Sequence, residues 1–292
     1  MSFGTLYVVA TPLGNLEDVT FRALRVLREV SLIACEDTRR AVKLLNRYEI
    51  RTPMTSFHDH NKLKAGVGLL RRLRDGQSVA LVSDAGTPGI SDPGYELVRD
   101  AVKEEISVEV VPGPSALISA LVVSGFPTDR FVFEGFLPNR QERRRKALAA
   151  LSHETRTLVL YESPHRIAAF LADASEILGS RRCCVVRELT KVHEEIMRGT
   201  LPELLEKISE REKVLGEITV VVEGAFEAVA ISVEEAVLEA LHEAPESATS
   251  RDLAREISSK TGLSKKEVYA EILRIRNAVP AFKKPKRKEE PY

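Results

Sequence analysis

Three loops gather the residue types that can hold a small ligand. Residues 82–94 read VSDAGTPGISDPG and follow the apolar run Ser78-Val79-Ala80-Leu81. Two more, Thr11-Pro12-Leu13-Gly14-Asn15 and Pro112-Gly113-Pro114-Ser115, also follow β-branched runs. Gly and Pro set sharp bends, and bare backbone beside small hydroxyls lets a ligand approach closely. One such loop is ordinary turn chemistry. Three at strand ends in one half of the chain point to a site, because ligands of α/β folds gather at the carboxyl ends of strands. Asp84 is the acid nearest a strand end. A carboxylate there suits a ribose hydroxyl, an ammonium or a sulfonium and repels a phosphate. Neither G-x-G-x-x-G nor G-x-x-x-x-G-K-[ST] occurs, so a nucleotide-phosphate cradle is unsupported. The loops favour an uncharged or cationic adenosyl compound.

Positioning these loops is the task of alternating strands and helices. Strand patterns lie at 5–10, 31–35, just before Phe57, 78–82 and 107–111, with helical patterns at 20–29, from Thr38, at 62–74 and at 115–124. Asp92 and Pro93 read as the cap and first position of a further helix, and Gly125 suits the left-handed stop after Ser124. The series starts again with strands at 130–134, 157–161, 183–186 and 217–223. Helices are expected from Gln141, after Ser163-Pro164 up to Gly179, and near 202–209. Such alternation implies α/β layers around buried sheets, the second of which is open to a mixed arrangement. The expected domains are an N-terminal α/β domain at 1–116, a second α/β domain at 117–226 with a cleft between them, and a small helical domain at 227–292. The last carries VEEAVLEALHEA, SRDLAREISSK and KKEVYAEILRIRN with no strand signal. The turn Thr261-Gly262-Leu263-Ser264 gives it a helix-turn-helix outline, and Ser264 with Glu267 forms a capping-box pattern.

The 292 residues suffice for two or three domains, and 43% hydrophobic with 29% charged residues is soluble globular composition. No apolar run approaches the roughly 20 residues of a membrane span, and the first residues read as a strand and not as a signal peptide. Cys35, Cys183 and Cys184 are odd in number and form no C-x-x-C, which argues against a disulfide framework or a zinc site and for the cytoplasm. The net charge of zero is assembled from unlike parts. Residues 225–250 hold six acids and no Lys or Arg, whereas 251–292 hold twelve Lys or Arg against six acids, ending in KKPKRKEEPY. A second basic cluster, RQERRRK, spans 140–146. Such clusters neutralise phosphates or form solvated helix faces.

In order along the chain, LYVVATPLGNLEDVTFRALRVLREVSLIACEDTRR, FHDHN, LVSDAGTPGISDPGYELV, VVPGPSALISAL, FVFEGFLP, YESPHRI, RELTK and GEITVVVEG closely resemble the ribosomal small subunit methyltransferase I family, within the tetrapyrrole-methylase superfamily. The resemblance spans about residues 5–224 and extends loosely into the helical tail. EDTR and SDAGTP together with FHDHN separate this branch from cobalamin-precursor methylases and diphthine synthase. Ala10 departs from the pattern, which has proline before TP(I/L)GN. The resemblance implies a two-domain methylase that binds S-adenosylmethionine in its cleft as a homodimer. It implies 2′-O-methylation of a cytidine in the decoding region of 16S rRNA, position 1402 in the common rRNA numbering. The cofactor loops of the superfamily map onto Leu13, onto Asp84, Gly86, Thr87 and Pro88, and onto Pro112, Gly113, Ser115 and Ala116. The second half is expected to contribute Tyr161, Glu162 and Glu223.

A sulfonium is an activated methyl source, so this chemistry needs no metal. It needs alignment, exclusion of water and a base for a 2′-hydroxyl. The candidates are Glu36 and Asp37 of CEDTRR and His58, Asp59 and His60 of FHDHN. Asp37 also suits a cap for the helix at Thr38, and either histidine suits a backbone bond. Lys191 of RELTK suits a phosphate or an acid. Arg39, Arg40, Arg143, Arg144, Arg145, Lys146, Lys265 and Lys266 are expected to meet rRNA phosphates, so replacing Arg143–Arg145 with Ala is expected to weaken rRNA binding. A tetrapyrrole or protein methylase, or a non-catalytic ribosome-assembly factor, are the alternatives.

Overall fold

The computed structural model describes residues 3–226, 232–244, 248–261 and 263–278. The basic tail at 283–292, Glu227, Glu246 and Gly262 of the expected turn lie outside them. The chain divides into two compact units, one ending at Ala225 and one beginning at Phe226. Both sheets belong to the first unit.

The first sheet has five parallel strands: β1 (Leu6–Val9), β2 (Leu32–Cys35), β3 (Met54–Ser56), β4 (Val79–Val82) and β5 (Val108–Val111), in the order β3-β2-β4-β1-β5. Helices α1 (Phe21–Glu29), α2 (Thr38–Arg47), α3 (Lys62–Arg74) and α4 (Tyr95–Lys103) join them. Strand alternation sorts the core. Ile33 and Cys35 pack with Ala23, Leu24 and Leu27 of α1 and Leu44 and Leu45 of α2. Leu32 and Ala34 face the opposite way, onto Leu69, Leu70 and Leu73 of α3 and Leu97 of α4. The connection from β1 leads one way across the sheet and that from β4 the other, so their carboxyl ends diverge as adjacent strands. That is the switch point at which α/β sheets open a crevice.

The second sheet comprises β6 (Phe131–Phe136), β7 (Thr157–Glu162), β8 (Arg182–Arg187), β9 (Glu195–Thr200) and β10 (Ile218–Val222), in the order β6-β7-β10-β8-β9. Only β6 and β7 pair in parallel; the other pairs are antiparallel, so the sheet is mixed. Helix α5 (Ala116–Ser124) covers one face. Helices α6 (Gln141–Ala150), α7 (Ile167–Leu178) and α8 (Leu201–Ser209) cover the other. Strand β9 was not expected from its sequence, EIMRGT. It is an edge strand with a half-exposed pattern, so it lacks the apolar run of a central strand.

Two helix starts shift. Helix α4 begins at Tyr95 with Gly94 at its N-cap, at φ 156°, and not at Asp92-Pro93. Helix α7 begins at Ile167, after a turn in which Ser163 O accepts from the Arg166 and Ile167 N–H groups. Gly125, at φ 80°, ends α5 in the expected left-handed conformation.

In the second unit, α9 (Val233–Glu243), α10 (Ser250–Thr261) and α11 (Lys265–Ala278) pack around Val237, Leu241, Leu253, Ile257, Val268, Ile272 and Ile275. Arg274 pairs with Glu234 and Glu271, and Arg276 donates to Ser250 Oγ and Ala248 O. Those two cations sew helices together, while Lys265 and Lys266 remain exposed.

Candidate active site

The loops at the carboxyl ends of the first sheet are tied to one another by backbone and hydroxyl bonds. Thr11 and Gly86 exchange two hydrogen bonds, of 2.8 and 3.0 Å, across the β1–β4 crevice. Thr87 Oγ1 donates to Pro114 O at 3.2 Å. Gly86 sits at φ 82° with Leu13 Cδ2 3.2 Å from where its Cβ would be, so a side chain there would be both strained and crowded. Ser91, at φ 62°, is a non-glycine residue in the left-handed region. It abuts Gly135 of the second sheet, whose Cβ would fall 3.0 Å from Ser91 Oγ. Gly135 lies at a register shift in β6, and the bulge makes room for the loop.

These loops and the facing ends of β7, β8 and β10 enclose a cleft of about 450 Å³. Leu13, Glu36, Asp84, Gly86, Thr87, Ser115, Ala116, Tyr161 and Glu162, all named from the sequence, line it together with Arg40. Pro88, Pro112 and Gly113 do not. Pro88 is buried beneath the loop, and Gly113 packs on Ala10, its Cβ position 3.1 Å from Ala10 Cβ. Ala10 N–H in turn donates to Val111 O at 3.1 Å, a bond that proline could not make. Glu223 lies at the far end of β10. Because β10 runs antiparallel to β7 and β8, its amino end, Gly216 to Thr219, faces the cleft, and Glu223 pairs with Arg182 at 2.8 Å instead.

Five carboxylates line the cleft: Glu36, Asp84, Asp92, Glu162 and Glu217. Asp84 accepts the Asp37 N–H at 3.0 Å and lies 3.4 Å from Arg40 Nε. Arg40 also reaches Glu217 at 3.8 Å and lines the cleft while its side chain stays exposed. Burial and the Asp84 charge push the Glu36 carboxyl up. Burial, with Glu36 beside it, pushes Asp92 up to about 7. Asp37 is the N-cap of α2, accepting the Arg39 N–H at 2.8 Å. Hydrogen bonds from the Arg39 side chain and backbone hold it down at about 2, too weak a base for a hydroxyl proton. His58 and His60 meet edge to face at 6.0 Å, outside the cleft lining.

The aromatic side of the cleft is Tyr161 and Phe136, ring centres 5.6 Å apart, with Phe133 5.0 Å from Tyr161. Burial raises the Tyr161 phenol to about 12. Burial also raises Glu162, which accepts the Ser163 N–H at 2.7 Å and pairs with Arg166 at 3.2 Å. Phe136, Asp92 and Glu217 were not expected from the sequence. Phe136 and Glu217 do lie inside FVFEGFLP and GEITVVVEG, and Asp92 inside the longest loop. What sequence lacked was the antiparallel direction of β10, which decides which of its ends reaches the site.

Of the residues assigned to RNA, Arg144 is misplaced. It is buried on α6 and pairs with the buried Asp173 at 2.7 Å. Arg145 pairs with Asp173 at 3.1 Å and also with Glu176. Arg143, Lys146, Lys265 and Lys266 are exposed, and Arg39, though exposed, is held by Asp37.

Residues 5–205 match the family model described as Tetrapyrrole (Corrin/Porphyrin) Methylases. The ribosomal RNA small subunit methyltransferase I of Thermotoga maritima is 52% identical over 221 residues, 76% of this chain and 99% of the relative. The protein of that name from Halalkalibacterium halodurans is 46% identical over 91% of this chain and 93% of the relative. This chain belongs to the ribosomal RNA small subunit methyltransferase I family of tetrapyrrole methylases. Among solved structures, a uroporphyrin-III C-methyltransferase from Thermus thermophilus complexed with S-adenosylhomocysteine aligns with a TM-score of 0.53 at 21% identity, over 75% of this chain and 96% of that one. A diphthine synthase aligns with a TM-score of 0.58 at 13% identity, over 75% and 89%. At these identities the structures speak for the fold, and the family supplies the methyltransferase class.

Proposed function

We propose that this chain transfers a methyl group from S-adenosylmethionine to the ribose 2′-hydroxyl of a cytidine in the decoding region of 16S rRNA, position 1402 in the common numbering, working as a homodimer in the cytoplasm. The observation that carries the reading is the acid-lined cleft on the glycine-rich loops, in a chain whose relatives bear the small-subunit methyltransferase name. The residues present fit the methyl donor. Glu36, Asp84, Asp92 and Glu217 offer negative charge to a sulfonium and an ammonium. Tyr161 and Phe136 offer ring faces to adenine. Leu13, Gly86, Thr87, Ser115 and Ala116 offer close backbone approach, and the buried Glu162 lies in the lining beside Tyr161. When bound, the donor supplies a methyl group on a cationic sulfur. The chain's own part is to align the hydroxyl, exclude water and take a proton. Of the cations named from the sequence, Arg143, Lys146, Lys265 and Lys266 are exposed and form no ion pair among the described residues, and they suit phosphate.

The test is methylation of small ribosomal subunits from cells lacking the activity, followed by nucleoside mass spectrometry. A single 2′-O-methylcytidine in the decoding region is expected. Transfer to a tetrapyrrole or a protein, with none to rRNA, overturns the reading.

A further inference from the structure

Among the described residues that line the cleft, five are acids and one, Arg40 in the first turn of α2, is a cation. That imbalance suits a cationic donor and opposes an RNA. The ribose carbon beside C2′ carries the 3′-phosphodiester, so a 2′-hydroxyl brought to the donor brings a phosphate with it. The acids repel that phosphate unless a cation stands between them. Arg40 is placed for this part. Its guanidinium lies 3.4 Å from Asp84 and 3.8 Å from Glu217, beyond the roughly 2.7–2.9 Å of a charge-assisted hydrogen bond. Its side chain is 57% exposed. The cations near it are committed: Arg39 holds Asp37 at 2.6 Å, and Lys191 bridges Glu188 and Glu217 at 2.8 and 3.1 Å. Next to the cleft, a second hollow of about 170 Å³ shares Leu13, Arg40 and Asp84 with it and is lined by Lys43 as well. Lys43 is exposed and forms no ion pair among the described residues. Positions three apart on a helix lie on one face, so Arg40 and Lys43 are neighbours on α2, beside the loop at 11–14.

We propose that Arg40 and Lys43 form a phosphate site that holds the 3′-phosphodiester of the nucleotide being methylated. This rests on the functional reading above. Arg40 stands at the border of the cleft and the hollow, so a phosphate there lies next to the ribose that enters the cleft. Lys43 meets the same phosphate from the hollow, away from the acids. With a cationic sulfur among the acids, Arg40 is no longer needed as their counter-ion, and its guanidinium turns to the phosphate. The site thus fixes the ribose by its neighbour and screens that neighbour from the acid lining.

The variants Arg40→Ala, Lys43→Ala and Arg40→Lys test this on small ribosomal subunits from cells lacking the activity. Each alanine variant is expected to lower kcat/KM for 2′-O-methylation about 10- to 100-fold, the size of one hydrogen bond to a charged group. In filter binding, without turnover, each is expected to reduce the slope of log affinity against log salt by about 0.7–0.9. Arg40→Lys keeps the charge and is expected to keep the slope. Affinity for S-adenosylmethionine, measured by calorimetry, is expected to hold in Lys43→Ala. In Arg40→Ala it is expected to hold or rise, because a cation has left the acid lining; donor binding also shows that each variant is folded. The phosphate itself is tested with subunits reconstituted on 16S rRNA that carries one neutral methylphosphonate link 3′ to the methylated nucleotide. That link is expected to cost the unsubstituted protein affinity and to cost the double alanine variant none. An unchanged salt slope in either alanine variant overturns the inference, as does an equal loss from the neutral link in both proteins. A fall in donor affinity in Arg40→Ala that accounts for its lost rate also overturns it. Failure of the unsubstituted protein to form any 2′-O-methyl product sinks the functional reading and this inference together, whereas product formed equally well by both alanine variants sinks this inference alone.

Discussion

Arg144 shows how one residue escapes a reading by charge. Successive helix positions point about 100° apart, so three arginines in a row cannot share a face. Arg144 lies on the line of Leu148 and Leu151, at i+4 and i+7, which makes it part of the apolar stripe of α6. That spacing was in the sequence; the solvated-cluster reading passed over it. Burial opposes the charge of Asp173, but hydrogen bonds from Gln141, Arg144 and Arg145 outweigh it and hold the carboxyl below its usual range. Removing one partner of a buried pair strands the other, at about 3–5 kcal/mol. Arg144→Ala is therefore expected to lower stability by about that amount in denaturant titration, while Arg143→Ala, exposed on the same helix, changes it by less than about 0.5 kcal/mol. The triple substitution of Arg143–Arg145 would then report unfolding and not RNA grip. If Arg144→Ala unfolds at the same denaturant concentration as the unsubstituted protein, the ion pair is not structural.

Among the elements, the connection between β8 and β9 carries a function that no local pattern announces. Glu188 and Thr190 both sit in the left-handed region, at φ 52° and 64°. The bends let Thr190 Oγ1 accept the Asn15 N–H at 3.2 Å, and let Lys191 Nζ bridge Glu188 at 2.8 Å and Glu217 at 3.1 Å. The Lys191 stem lies across Gly14, where a Cβ would fall 2.2 Å from its Cγ. The β1 loop is thus latched to the second sheet beside Leu13. Gly14→Ala is expected to displace Lys191 and weaken donor binding about 10-fold, roughly 1.4 kcal/mol, with secondary structure by circular dichroism unchanged. Unaltered affinity would mean that the latch does not shape the cleft. In the first sheet β1, β2 and β4 were legible because each is an apolar run ending in a Gly- or Pro-rich loop or an acidic turn. Strand order, the direction of β10 and the latch were not, because each depends on pairings between residues as far apart as Asn15 and Thr190, which periodicity does not record.

For the whole molecule, a net charge of zero means that no overall field draws RNA in, so grip must come from local patches. The cations of α6 and α11 divide into paired and exposed. Arg274 and Arg276 are spent inside the helical unit and Arg144 inside the α/β unit, while Arg143, Lys146, Lys265 and Lys266 face solvent. Each phosphate contact adds about 0.7–0.9 to the slope of log affinity against log salt. Lys265→Ala/Lys266→Ala is expected to reduce that slope by about 1–2 for small-subunit rRNA, and Arg143→Ala/Lys146→Ala by a similar amount, both leaving donor affinity untouched. If the helical and α/β units each hold RNA through their own contacts, the four substitutions together lower the slope by the sum of the two pairs. A slope insensitive to Lys265 and Lys266 would assign α11 to packing alone and confine the RNA contact to the α/β unit.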